Sequence, residues 1–162
     1  MSQAATGMQI EIQQFELRHL ERVLSIEQAS FASEAWDKDL FLEYSRECPS
    51  FFLIAKLGRG IAGYMIACAT AKNAELVSIA VDPRFRHRGL ANAMLHYTLA
   101  RLRRRGIRTW WLMVRTTNTA AIGFYEGFGF TRTRMVKRYY ENRGDAWRMR
   151  LSISHTLGGY ED

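Results

Sequence analysis

A glycine-bearing turn between a predicted strand and a predicted helix is the segment of this sequence best suited to chemistry. Residues 78–91 read Ser-Ile-Ala-Val-Asp-Pro-Arg-Phe-Arg-His-Arg-Gly-Leu-Ala, and an amphipathic helical pattern follows them. The first amides of a helix lack backbone partners and lie at the positive end of its dipole, and glycine lets a ligand approach the main chain. The turn around Gly89 is therefore predicted to bind an anion such as a phosphate.

A second segment, residues 112–130, places polar groups on a short predicted helix. Asn118 or Thr119 can cap the start of this helix, Tyr125 lies near its end, and Gly127 and Gly129 terminate it. A phenol held near a leaving group can donate a proton, and an asparagine can hydrogen-bond a ligand. Taken alone, Tyr125 could instead be a core aromatic and Asn118 only a helix cap.

Together the two segments resemble the motifs of the GNAT superfamily of N-acetyltransferases. Arg86-His-Arg-Gly89-Leu-Ala91 matches the acetyl-CoA motif Arg/Gln-x-x-Gly-x-Gly/Ala, and residues 112–130 match the second signature at the expected distance. The likeness is strongest to the ribosomal-protein alanine acetyltransferases and the protein N-terminal acetyltransferases. It covers nearly the whole chain after the first few residues.

The resemblance implies that acetyl-CoA is the co-substrate. Strand residues 79–81 would pair with its pantetheine arm, backbone amides of the turn would bind its pyrophosphate, Asn118 would hydrogen-bond it, and Tyr125 would protonate the departing thiolate. The cofactor-binding residues expected in the first segment are Ile79, Ala80, Val81, Arg86, His87, Arg88, Gly89, Leu90, Ala91 and Asn92.

One position departs from the family's pattern. Relatives usually have glutamate, and some have histidine, where this chain has Met113, and that residue relays the proton of the attacking amine. Methionine cannot titrate, so another residue or water serves as base, the amine arrives neutral, or catalysis has been lost. Glu75 is the first candidate base because strand alternation places it on the same face as Val77 and Ile79; Glu34 is the second, and each could instead be a solvated charge.

The resemblance also suggests where the acceptor binds. Tyr139 and Tyr140 precede the last predicted turn, where similar enzymes hold the main chain of an incoming N-terminus, although edge-strand packing would explain them equally well. With Glu34 and Met113 they form the predicted acceptor-binding set, whereas the loop aromatics Phe31 and Trp36 are interpreted as covering the core.

The acceptor is expected to be a protein N-terminal α-amine. A net charge of +7 repels a polyamine at long range, which disfavours one small-molecule alternative. Two further alternatives are a small-molecule amine acetyltransferase in general and a module that binds acetyl-CoA without turnover. Tyr125 argues against the second of these, because a pure sensor has little need of a proton donor at the thiolate.

The elements that must position these residues form a mixed α/β pattern. A strand and two helices are followed by a three-strand meander, a long helix over 90–105, a buried strand over 110–114, the short helix and a final hairpin. We expect the α+β GNAT fold, with a central, mostly antiparallel sheet of about seven strands splayed at the acetyl-CoA site and helices on both faces. A single domain is predicted over 9–155, with a disordered tail over 1–8 and a C-terminal tail over 156–162.

Composition limits the remaining possibilities. The chain has 162 residues, 48% of them hydrophobic, without an apolar run long enough to span a membrane, and its start lacks the features of a signal peptide; we therefore expect a cytoplasmic protein without a membrane partner. Cys48 and Cys68 lack metal-ligand spacing, so we expect reduced thiols and no metal. The arginines over 101–105 fit a helix terminus capped by Gly106, and no nucleic-acid motif accompanies them, so nucleic acid is not an expected partner.

Overall fold

The computed structural model describes residues 9–141 and 144–154, and the two tails predicted at 1–8 and 156–162 lie outside them. Within the described residues the chain forms seven strands and four α-helices, in the order predicted. Their bounds are β1 (Ile10–Gln14), α1 (Leu20–Phe31), α2 (Lys38–Glu47), β2 (Phe52–Leu57), β3 (Gly60–Thr70), β4 (Asn73–Val81), α3 (Leu90–Arg104), β5 (Thr109–Arg115), α4 (Thr119–Phe128), β6 (Thr131–Val136) and β7 (Ala146–Ser152).

Local capping explains where several helices begin and end. The side chain of Asp37 accepts a hydrogen bond from the amide of Leu40 at 3.0 Å, and the side chain of Asn118 accepts one from Ala121 at 3.2 Å, which fixes the starts of α2 and α4. Gly106 follows α3 with a φ of +76°, a left-handed conformation that glycine adopts without strain. The caps confirm the predicted start of α4 and the predicted end of α3, whereas α2 and α4 end at Glu47 and Phe128.

The strands form one sheet in the order β1-β2-β3-β4-β5-β7-β6. The pairs β1–β2, β2–β3, β5–β7 and β6–β7 are antiparallel, and β4–β5 is parallel. The parallel register runs from Asn73↔Thr109 to Leu76↔Leu112 and does not extend to Val77 and Met113. The mixed architecture with a mostly antiparallel sheet is therefore confirmed.

By its internal contacts the chain divides into two compact units, one comprising residues up to 67 with 78–98, the other 68–77 with 99 onward. In the first unit, the core residues Val23, Ile26, Phe41, Tyr64 and Ile66 are fully buried. In the second, Trp110 is fully buried and its ring contacts those of Phe128 and Phe130. The single domain expected over 9–155 remains a prediction.

The expectation of reduced thiols is wrong. Cys48 and Cys68 are both disulfide-bonded, so neither is a free thiol. Disulfide formation depends on the distance between cysteines in the fold, which their separation in sequence does not set. No helix in the described part of the chain is long and apolar enough to cross a membrane.

Candidate active site

The predicted anion-binding turn lies in the first unit, between β4 and α3. His87 and Gly89 have φ angles of +63° and +84°, and α3 begins at Leu90. In the first turn of α3, the amide of Ala93 donates a hydrogen bond to the carbonyl of Gly89 at 2.9 Å. The amides immediately before it belong to the helix start, where no intrahelical acceptor exists.

The space beside Gly89 is open. A Cβ atom built on Gly89 would have no heavy atom within 4 Å. A side chain there would occupy room that a ligand could otherwise use to approach the main chain. Free helix-start amides, positive φ angles and an open approach together fit a group that carries phosphates.

Asp82 anchors the chain just before this turn. Its side chain is only 6% exposed, and its carboxylate contacts Arg22 Nη2 at 2.6 Å and Arg84 Nη2 at 2.9 Å. It also accepts a hydrogen bond from the amide of Arg84 at 2.9 Å. These hydrogen bonds, chiefly that from the Arg84 side chain, hold the pKa of Asp82 well below its usual range.

We predict that Asp82→Asn destabilises the protein by about 2 kcal/mol at neutral pH, because the buried acceptor loses its charge and two arginines lose their partner. A depressed pKa in the folded state contributes stability above the unfolded value of about 3.9, and this contribution is lost as pH falls through the folded value. The difference in unfolding free energy should therefore be constant from pH 7 to 5 and shrink below pH 4.

Urea unfolding of both proteins across this pH range measures the effect. Asp39→Asn, on the exposed side of α2, is the matched control and should change stability little. An equal loss at pH 7 and pH 3 would contradict the ion-pair explanation.

In the second unit, the candidate site residues Glu75 and Met113 share one face of the sheet with Trp111 and Arg148. Glu75 on β4 lies opposite Trp111 on β5, and Met113, two residues further along β5, lies opposite Arg148 on β7. Because directly paired residues point to the same side and alternate residues share a side, all four side chains face the same way. The register therefore places the candidate base on the face that carries Met113.

The environment of Glu75 suits a proton acceptor. Its side chain is half-buried, and desolvation raises the pKa of its carboxyl, an effect opposed by the nearby positive charge of Arg148. Burial and the charge of Glu75 also raise the pKa of Tyr139, which places these two predicted site residues near each other. The guanidinium of Arg148 lies 4.5 Å from the centre of the Trp111 ring.

Tyr125 lies on α4, and its ring packs edge-on against Phe130 at 5.9 Å. Part of the ring stays exposed, but burial, with a smaller effect of Tyr140, raises the pKa of the Tyr125 phenol. The group is therefore protonated throughout the physiological range. Tyr140 in turn lies under the guanidinium of Arg115 at 4.0 Å and contacts Tyr139 edge-on at 4.9 Å.

The remaining predicted residues differ in their exposure and in their contacts. Asn118 uses its side-chain oxygen as the cap of α4, which leaves its NH₂ group as the donor for a ligand. Glu34 lies in an exposed turn of the first unit. In the same unit Trp36 stacks on Tyr44 at 5.3 Å, as expected of an aromatic that covers the core, whereas Phe31 is exposed.

Sequence reasoning missed several residues that shape these regions. They are Asp82, Arg115, Arg148 and Asp145. The side chain of Asp145 accepts a hydrogen bond from the amide of Arg138 at 2.9 Å, and its carbonyl accepts one from the amide of Thr116 at 3.0 Å. The turn that carries the two tyrosines is thereby tied to the segment after β5. The alternation of β7 could have indicated Arg148; the partners of Asp82 and Asp145 have no signal in sequence spacing.

Comparison with known proteins shows the family of this chain. Residues 17–130 match the Acetyltransferase (GNAT) family. The ribosomal protein bS18-alanine N-acetyltransferase of Escherichia coli strain K12 is 34% identical over 146 residues, which is 88% of this chain and 97% of that protein. This chain is also similar to an N-alpha-acetyltransferase of Sulfurisphaera tokodaii, to which it is 23% identical over 91% of this chain and 96% of that protein.

The solved structure of Ard1 from Thermoplasma volcanium superposes with a TM-score of 0.85 at 29% identity, covering 90% of this chain and 98% of that one. The fold and the motif residues define an acyltransferase of the GNAT type. The chain belongs to the acetyltransferase (GNAT) family, and it is an N-acetyltransferase.

Proposed function

We propose that this enzyme transfers the acetyl group of acetyl-CoA to the N-terminal α-amine of a protein. The relatives support this choice of acceptor, since two of those matched over nearly their whole length are named as a ribosomal-protein alanine N-acetyltransferase and an N-alpha-acetyltransferase. The observation that carries the proposal is the half-buried Glu75 on the face of Met113, because a carboxylate there would act as the proton acceptor that Met113 cannot be. A module without turnover would have no use for that carboxylate.

The chain's own residues would hold acetyl-CoA as follows. The helix-start amides of α3 and the turn over 86–89 would bind the pyrophosphate, and strand residues 79–81 would pair with the pantetheine arm. The NH₂ group of Asn118 would donate a hydrogen bond to the cofactor. The open space beside Gly89 and the positive φ angles of the turn support this assignment.

Acetyl-CoA is expected to stabilise the wild type in a thermal unfolding assay. A ligand that binds only the folded state at a hundred times its dissociation constant contributes about 2.7 kcal/mol, which raises the melting temperature by several degrees. Gly89→Leu should abolish the rise, because its side chain fills the open approach to the main chain.

Gly106→Leu is the matched control, since Gly106 has a similar φ of +76° and equally open surroundings at the other end of α3. Both substitutions carry the same kind of backbone strain, so both lower the melting temperature of the free protein. Only the Gly106 variant should keep its response to acetyl-CoA. Loss of the response in both variants would contradict the assignment of the turn.

Glu75 would act as the proton acceptor. As the amine nitrogen attacks the acetyl carbonyl, the N–C bond forms, the C–S bond breaks, and the nitrogen becomes acidic. The Glu75 carboxylate, directly or through water, then accepts the proton that the nitrogen loses. Its raised pKa makes it a stronger base than an exposed carboxylate, and the proximity of Tyr139 supports a position for the acceptor's main chain here.

Tyr125 would stabilise the leaving sulfur. Its pKa lies above that of a thiol, about 8.5, so complete proton transfer to an isolated thiolate would be uphill. The resemblance implied that Tyr125 simply protonates the thiolate, and this expectation is therefore refined. The phenol donates a hydrogen bond that strengthens as charge develops on sulfur. The phenol proton then moves to sulfur as solvent supplies another proton to the phenol. Such an interaction acts mainly in the transition state.

Incubation of the purified enzyme with acetyl-CoA, a panel of peptides and a panel of small amines tests the proposal. Mass spectrometry of the products should show acetyl on peptide α-amines. Acetylation of small amines alone would show that the acceptor is a small molecule and not a protein. Absence of any acetylated product would overturn the assignment of catalytic activity.

A further inference from the structure

Three arginines line one face of the sheet at its β7–β6 edge. Arg148 and Arg150 are alternate residues of β7, and Arg134 on β6 lies directly opposite Arg148. Arg150 lies opposite Trp111, so the three share the face that carries Glu75 and Met113. We call this set the arginine row.

The arginine row is electrostatically unfavourable in the protein alone. Like charges directly opposite each other on neighbouring strands destabilise a sheet. None of the three makes an ion pair at salt-bridge distance with another side chain in the described ranges. Arg148 is attracted by the charge of Glu75 and lies over the ring of Trp111, whereas Arg134 and Arg150 are exposed.

The opposite face of the same hairpin provides a contrast. Arg132 pairs with Met149, and a shift in register between Arg132 and Arg134 puts Arg132 on the face opposite to the row. There it lies 3.8 Å from a carboxylate oxygen of Glu126 and 5.3 Å from the centre of the Trp147 ring. The hairpin thus provides an ion-pair partner for its arginine on one face, whereas on the other face only Arg148 is attracted by a carboxylate, that of Glu75, and Arg134 and Arg150 have no ion-pair partner among the described residues. A cluster of unneutralised guanidinium groups is suited to an anionic partner, and carboxylates fit it because guanidinium binds them in two-point contacts.

We propose that the arginine row binds acidic side chains within the first few residues of the acceptor protein. The inference rests on the proposed function, in which the acceptor amine lies near Glu75 and Met113. From Met113 on β5, the row extends over two strand spacings, about 10 Å, which an extended peptide covers in about three residues. Acidic residues at acceptor positions two to four would therefore reach the row.

The test uses three peptides that begin with alanine and carry glutamate, glutamine or lysine at positions two to four. The kcat/KM of the wild type should be highest for the glutamate peptide and lowest for the lysine peptide, by about tenfold or more at low salt, since each exposed pair contributes up to about fivefold. The preference should weaken as added salt screens the charges.

Arg134→Gln should lower the kcat/KM of the glutamate peptide about two- to fivefold relative to that of the glutamine peptide. Arg134→Glu should lower it further. The matched control is Arg103→Gln on the exposed side of α3, which removes the same charge and should leave the preference intact.

Equal kcat/KM for the three peptides, or the same loss of preference in the Arg134 and Arg103 variants, would overturn the inference and leave the proposed function standing. Failure to acetylate any of the peptides would instead count against the proposed function.

Discussion

Replacing Tyr125 with phenylalanine is expected to slow acetyl transfer about a hundred- to thousand-fold, the usual effect of removing a hydrogen-bond donor that stabilises charge in the transition state. The ring contact with Phe130 is kept and only the hydroxyl is lost, so the fold should be preserved. The thermal shift caused by acetyl-CoA should therefore remain while turnover falls. Because burial raises the pKa of the phenol, the wild type should not lose activity through its ionisation below about pH 10.

Single-turnover kinetics with a saturating peptide measure this effect, because they isolate the chemical step from product release. Tyr44→Phe on α2 is the control for a general effect of removing a phenol hydroxyl, and it should leave the rate unchanged. A Tyr125→Phe variant with wild-type single-turnover rates would show that the thiolate leaves without help from this residue.

Local signals explain why the elements could be predicted. The stripe of apolar residues and the terminal glycine identify α3, and the side-chain caps of α2 and α4 follow from Asp37 and Asn118 at the start of periodic segments. The glycine-bearing loop between two apolar runs likewise indicated the β2–β3 hairpin. Each of these features depends on residues a few positions apart, which is the range over which sequence patterns carry structural information.

Features that depend on distant pairs could not be predicted. The partners of Asp82 include Arg22, which is remote in sequence, and the disulfide state of the cysteines depends on their positions in the fold. The grouping of Glu75, Trp111, Met113 and Arg148 requires the order and register of β4, β5 and β7. Alternation alone had placed Glu75 on a strand face, but only strand pairing shows which residues share that face.

The enzyme is expected to prefer an α-amine to a lysine by a few hundredfold, because a carboxyl is a weaker base than either amine. Glu75 can accept the proton that leaves as the N–C bond forms, but it cannot hold an ammonium group deprotonated beforehand. With reference pKa values near 7.8 and 10.4, roughly one α-amine in seven is neutral at pH 7, against about one lysine in 2,500. The acceptor must therefore arrive neutral, and the rate should rise with pH through the pKa of the amine.

Two sets of measurements test this expectation. In competition between a peptide with a blocked lysine and one with a blocked N-terminus, the wild type should acetylate the free N-terminus. Glu75→Gln should lower the rate without changing that preference, and Met113→Glu should leave the pH profile rising, because a second carboxylate also accepts the proton only as the N–C bond forms. Because burial raises the pKa of Glu75, its charged form opposes folding at neutral pH, so Glu75→Gln should unfold at the same temperature as the wild type or higher. A marked drop in melting temperature would mean that the lost activity reflects damage to the fold.

A wild-type preference for lysine, or a flat profile from pH 6 to 9 with chemistry rate-limiting, would mean that the protein deprotonates its acceptor before attack, and the requirement for a neutral amine would then be wrong.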